Sequence, residues 1–145
     1  MNSKLLPLGL LAAAEDETIE GITRFQKLVF LAQREELNEQ PYEFEAEKYG
    51  PFSQRLYDDL DRLVQEGFMD RSREQTQLRN TKQVYELTDK GWRAVSNAPL
   101  DRQPDVGSEE LERFNQEYNQ MNLWSLLEYV YEEYSNMAKN SELNI

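Results

Sequence analysis

The chain has 145 residues, room for one domain and an appendage but not for two full domains. Its 28 acidic residues outnumber 16 basic ones, and the net charge of −12 favours solubility and disfavours loose association with polyanions. With neither cysteine nor histidine, disulfides, thiolate or imidazole metal sites and catalysis by those two side chains are excluded. No catalytic residue, metal or cofactor is therefore expected, and the chain is not expected to be an enzyme. Ten arginines against six lysines on an acidic background suit a protein of concentrated salt, and suit an ordinary acidic protein equally.

Lys4 followed by Leu5 to Ala14 resembles the charged start and short apolar core of an export signal. The stretch is too short to span a membrane, and a first core helix is the better assignment. Ser3 is placed as its N-cap, and the acidic run from Glu15 to Gly21 ends it. A second helix follows with Thr23 as cap and Phe25, Leu28, Val29, Leu31 and Ala32 on its buried face. Pro41 to Tyr49 alternates at period two, which indicates an extended segment punctuated by Gly50-Pro51. Ser53 caps a third helix that Gly67 stops, with Tyr57, Leu60 and Leu63 assigned to the core. Two short extended runs, Phe68 to Arg73 and Lys82 to Leu87, flank a polar stretch too long for a tight turn and read as a hairpin. Thr88 caps a fourth helix through Trp92 and Val95.

Proline and glycine at 99, 104 and 107 mark residues 97–107 as a linker. From Ser108 the pattern is helical again, in two slightly dephased stripes that a bend near Asn119 to Asn122 would reconcile. The expected organisation is a domain over 1–96, a linker over 97–107 and a helical extension over 108–145. The fold class is α+β, mostly helical: helix, helix, short strand, helix, hairpin, helix is the order of a winged helix.

Leu56-Tyr57-x-x-Leu60 in the third helix, Glu66-Gly67 at its end and Tyr85-x-Leu87-Thr88-x-Lys90-Gly91 after the hairpin resemble the PadR-like winged-helix regulators. Phe25 to Ala32, Phe44-x-Ala46 and Tyr49-Gly50-Pro51-Phe52-Ser53 resemble the SocA-like or Panacea antitoxin domain. Together the two resemblances cover about residues 22 to 91. The first implies a cytoplasmic transcription regulator that binds double-stranded DNA as a homodimer built by its C-terminal helices. On that basis Leu111, Phe114, Tyr118, Trp124, Leu127 and Tyr131 are the expected dimer contacts; the alternative is that the extension packs back on its own domain. The second implies an antitoxin-like or adaptor module whose partner is a toxin or another protein. No membrane partner is expected.

Residue chemistry supports the DNA assignment separately. Ser53, Gln54 and Arg55 occupy the start of the third helix, where free N–H groups and the helix dipole suit phosphate and where recognition helices reach base edges. Residues 71 to 82 carry Arg71, Arg73, Arg79 and Lys82 against Glu74, a positive departure from an acidic chain and fit for phosphate contact. Each has a structural alternative: a solvated helix face for the first group, and balancing of nearby acids for the second. Arg24 and Lys27 are expected to pair with Glu20 and Glu35 rather than to touch phosphate. Asp58, Asp59 and Asp61 are expected to be solvent-facing charge rather than a metal site. A positive strip around Arg55 and the wing would favour DNA, and a strip broken by those aspartates would favour a protein partner.

Overall fold

The computed structural model of the chain describes residues 5–37, 40–75, 81–97 and 108–143. Helix α1 (Leu5–Ala13) is apolar on nearly every side, and every residue from Leu5 to Leu11 is buried. A helix without a polar face must be enclosed, and α1 packs against α2 (Ile22–Glu35), α4 (Asp89–Ser96), α5 (Ser108–Phe114) and strand β5 (Thr81–Leu87). Ser3, expected as its cap, lies outside the described residues.

Between α1 and α2 the acidic run is more than a helix terminator. After a tight turn at Glu15–Glu17, in which Asp16 and Glu17 have positive φ, it forms strand β1 (Thr18–Glu20). This strand pairs antiparallel with β5, Ile19 opposite Tyr85, and β5 pairs with β4 (Met69–Gln75), Arg71 opposite the same Tyr85. The sheet order is β1-β5-β4. The expected hairpin is thus the outer part of a three-stranded sheet, and its tip, with Arg79, lies outside the described residues. The cap of α2 also differs from expectation: the helix begins at Ile22 after Gly21, one residue before Thr23. The extended segment after α2 is a small antiparallel hairpin, β2 (Glu45–Glu47) with β3 (Gly50–Phe52). Pro51 is tolerated there because β3 pairs on one side only.

Helix α3 (Gln54–Gln65) starts at Ser53, whose hydroxyl accepts the Leu56 N–H at 3.1 Å. It ends at Gly67, φ 83°, where the Phe68 N–H reaches the Leu63 carbonyl and the Gly67 N–H the Val64 carbonyl. That double closure needs a left-handed residue, which glycine supplies without strain. Thr88 caps α4 by accepting the Gly91 N–H at 3.0 Å. A β-carbon at Gly91 would overlap the Phe68 carbonyl, so this glycine lets α4 lie on the end of the wing. The order and geometry are those of a winged helix, mixed α and β, with small antiparallel sheets.

The C-terminal part follows the same core. Helix α5 runs into a π-helical turn, Asn115–Asn119, and α6 (Leu123–Glu133) restarts after Asn122, whose side chain accepts the Ser125 N–H. The bend falls where the two dephased stripes placed it. One continuous apolar cluster runs from Leu6 to Met137, with no break between the winged helix and α5–α6. Among the described residues no helix is long and apolar enough to cross a membrane. Truncation before Ser108 is therefore expected to yield an aggregated or unfolded chain, because it strips cover from α1. A soluble fragment with native helical circular dichroism would show instead that the residues before Ser108 fold alone.

Candidate nucleic-acid interface and the cleft beside it

The start of α3 is fixed from α2. The Gln26 side chain donates to the Ser53 carbonyl at 3.0 Å and accepts the Ser53 N–H at 2.9 Å. Ser53 is 1% exposed, and its hydroxyl is engaged as the helix cap on Leu56. Gln54 and Arg55 are exposed. Gln54 donates to Asp58 at 3.1 Å, and Arg55 reaches back to the Pro41 carbonyl at 3.3 Å with its guanidinium 5.5 Å from the Tyr42 ring centre. Tyr57, assigned to the core from its spacing, is 47% exposed and leans on Phe52. Of the three aspartates, Asp58 faces solvent, Asp61 is half-exposed, and Asp59 is buried and accepts the Tyr42 hydroxyl at 2.8 Å. The expectation that all three face solvent is corrected for Asp59.

On the wing, Arg71 bonds Asp61 of α3 at 3.1 Å, and Lys82 lies 3.0 Å from Glu20 of β1 and 4.0 Å from Glu74. Arg73 is exposed and makes no ion pair among the described residues. The positive excess read from the wing alone is thus largely met by acids brought from α3 and β1.

Helix α2 carries an unexpected row of buried polar side chains. Gln33 donates to the Tyr42 carbonyl at 2.7 Å and accepts its N–H at 3.2 Å, and Lys27 donates to the Pro51 carbonyl at 3.0 Å. Arg24 donates to the carbonyls of Asn119 and Met121, at the bend before α6. The expected pairing with Glu20 and Glu35 therefore gives way to backbone contacts; Glu20 acts on Arg24 through charge alone, and Lys27 has no carboxylate partner among the described residues. Burial lowers the Lys27 ammonium from its ordinary 10.5 to about 7. Lys27 lines a cleft of about 1150 Å³ between the starts of α2 and α3 and the β2–β3 hairpin.

The residues expected at a dimer seam divide. Leu111, Phe114, Tyr118, Leu127 and Tyr131 are buried within the chain's own core, while Trp124 is 48% exposed beside Leu123. The five buried side chains pack inside the chain's own fold. Tyr118, Tyr129 and Tyr134 instead converge on the Glu35 carboxylate at the end of α2, at 2.5, 2.8 and 2.9 Å. Burial, then the bonds to Glu35, push the Tyr118 and Tyr134 hydroxyls up, so both remain proton donors to that carboxylate. No group of three or more acidic side chains among the described residues is arranged to hold a metal.

Residues 34–97, from the end of α2 through α4, match the model of the Transcriptional regulator PadR-like family. The matched segment contains the β2–β3 hairpin, α3, the wing and α4. No curated protein matches the chain.

Lys27 links the fold to pH. Between about 7 and 10.5 the unfolded chain retains a proton that the native chain has released, so this residue makes native stability rise with pH across that window. Below it the burial penalty is full. Lys27→Met removes the titration, and wild-type stability relative to the variant is expected to gain up to about 1.4 kcal/mol per pH unit through the window. Urea unfolding of both proteins at a series of pH values measures this. Parallel stability profiles would mean that Lys27 stays charged in the fold.

Proposed function

We propose that the chain is a DNA-binding transcription regulator that acts as a homodimer and has no enzymatic activity. The first turn of α3 reads bases, and the β4–β5 wing lies on the phosphate backbone. The observation that carries this reading is the exposure of Gln54 and Arg55 in the first turn of an N-capped α3, within the segment that matches the PadR-like family. Both side chains suit bidentate contacts with purine edges, and the N-terminal end of a recognition helix is where such contacts are made. Arg73 is the described wing cation most ready for phosphate. Arg71 and Lys82 join it only by exchanging Asp61 and Glu20 for the backbone. Arg79 is assigned to the same surface from its sequence position. The dimer contact is assigned to the outer face of α6, where Leu123 and Trp124 present apolar surface. A regulator of this kind works in the cytoplasm.

A second reading has its own support. Asp58 and Asp61 interrupt the exposed face of α3 directly beyond Arg55, which suits a basic protein partner better than DNA. On that reading the scaffold is an antitoxin-like or adaptor module.

Binding-site selection followed by salt titration separates the two. For the DNA reading, affinity falls with salt, and Arg73→Ala is expected to weaken binding to all sequences alike. In a dimer it removes two phosphate contacts, flattening the log–log slope by roughly 0.9 for each. Arg55→Ala is expected to cost about 1–3 kcal/mol of discrimination between sites while sparing non-specific affinity. Selection that enriches no sequence, with Arg73→Ala indistinguishable from wild type, would make the protein-partner reading the better one.

A further inference from the structure

Helix α3 carries a stripe of polar residues that ends against the wing. Gln54, Asp58, Asp61 and Gln65 follow one another at spacings of four, three and four, and so lie along one side of the helix. Gln54 donates to Asp58 at 3.1 Å. Gln65 donates to one oxygen of the Asp61 carboxylate at 3.0 Å, and Arg71 of the wing donates to the other at 3.1 Å. Arg71 stands opposite Tyr85 in the β4–β5 register, and Arg73, two residues on, shares its face of the sheet. Lys82 and Glu20 belong to the other face. Asp61 is thus the one carboxylate of α3 that pairs with a wing cation among the described residues.

The geometry of this pair suits exchange. The Arg71 side chain is 31% exposed and that of Asp61 42%, so water screens both and the pair holds the cation by a factor of about five or less. Arginine binds phosphate with the same planar fork that it turns to a carboxylate, so Asp61 occupies donors that a DNA phosphate would use. A phosphate contact gains chiefly by releasing cations condensed on the DNA. When Arg71 leaves Asp61, the bare carboxylate draws cations back, and part of that gain is cancelled.

We propose that Asp61 is a built-in competitor of the DNA phosphates: by holding Arg71 against α3 in the free protein, it lowers affinity for DNA of any sequence and makes binding less sensitive to salt. The inference rests on the DNA reading and deepens it. Arg73, on the same face and with no ion pair among the described residues, stays ready for phosphate while Asp61 withholds its neighbour. A carboxylate that only repelled DNA through its own charge would act whether or not Arg71 were present. The two roles therefore differ in how Asp61 and Arg71 substitutions combine.

The test titrates a fluorescent mixed-sequence duplex with the full chain at a series of salt concentrations. Mixed sequence averages out base reading, in which an aspartate can accept from cytosine. Asp61→Asn is expected to bind about fivefold more tightly at low salt for each protomer that touches DNA. Its log–log slope should be steeper by up to about 0.9 for each Arg71 released. Asp70→Asn removes the same charge from the exposed neighbour of Arg71, which has no ion pair among the described residues, and should gain less than about twofold. In an Arg71→Gln background, Asp61→Asn should bring no gain. If Arg71→Gln fails to fold by circular dichroism, the two asparagine variants still decide. Asp61→Asn indistinguishable from wild type, equal gains from both asparagine variants, or a gain that survives Arg71→Gln overturns the proposal and leaves the DNA reading standing. No binding by wild type or any variant at any salt overturns the DNA reading and the proposal together.

Discussion

The placement of the β2–β3 hairpin and of the start of α3 depends on how α2 holds the backbone between Gln40 and Ser53. Strands β2 and β3 are three residues each and supply few ladder bonds, so the flanking peptide groups need other partners. Helix α2 supplies them from its side chains. A glutamine amide offers one acceptor and two donors on a single planar group, and so can pair with a peptide group as a neighbouring strand would. Gln33 does so at Tyr42 and Gln26 at Ser53, while Gln40 returns a bond to the Gln33 carbonyl at 2.6 Å. Lys27 holds Pro51 between them. Loss of any one leaves a buried peptide group unmet, a cost of about 1–3 kcal/mol. It also frees the start of α3, and with it the orientation of Gln54 and Arg55.

A second constraint comes from α1. Because it has no polar face, the winged helix cannot be completed by the elements that define it. Helix α5 and the π-helical turn cover the remaining side, with Asn115 donating to the Leu10 carbonyl. Glu35 then ties α6 and the turn after it to the end of α2 through three phenols. A charged acceptor bonded by several neutral donors is among the stronger hydrogen-bonded arrangements, and here it is placed where the two halves of the core meet. The aromatic richness of the C-terminal segment thus reflects closure of the chain's own core, with Leu123 and Trp124 left outside.

Much of this was legible in the sequence because it is local. Ser53, Gly67 and Thr88 act through their own helix ends, and the bend before α6 follows from two stripes out of phase. What escaped depends on non-local partners. Nothing within a few residues of Gln26, Lys27 or Gln33 indicates that they will be buried, since their partners lie in another segment. Tyr57 has core spacing but is 47% exposed, with Phe52 of β3 against its ring. The wing's charge was read without β1, whose three residues lie in an acidic run with no alternating apolar pattern. Once β1 is placed, Glu20 neutralises Lys82, and the positive excess of the wing shrinks among the described residues. The PadR-like resemblance read from α3 and the Lys90-Gly91 motif agrees with the family match over residues 34–97.

The enclosure of α1 also bears on how the molecule reaches its native state. The bonds that complete its surroundings join residues far apart along the chain: Asn115 to Leu10 spans 105 positions, and Tyr134 to Glu35 spans 99. Loop closure over such distances must precede the burial that rewards it, which slows folding relative to helical proteins built from local contacts. Until α5 and α6 dock, an entirely apolar helix has no cover on one side, and the incomplete chain is a target for self-association or for chaperones that recognise exposed apolar helix. A chain of this build is expected to present the α3 surface only once α5 and α6 have docked.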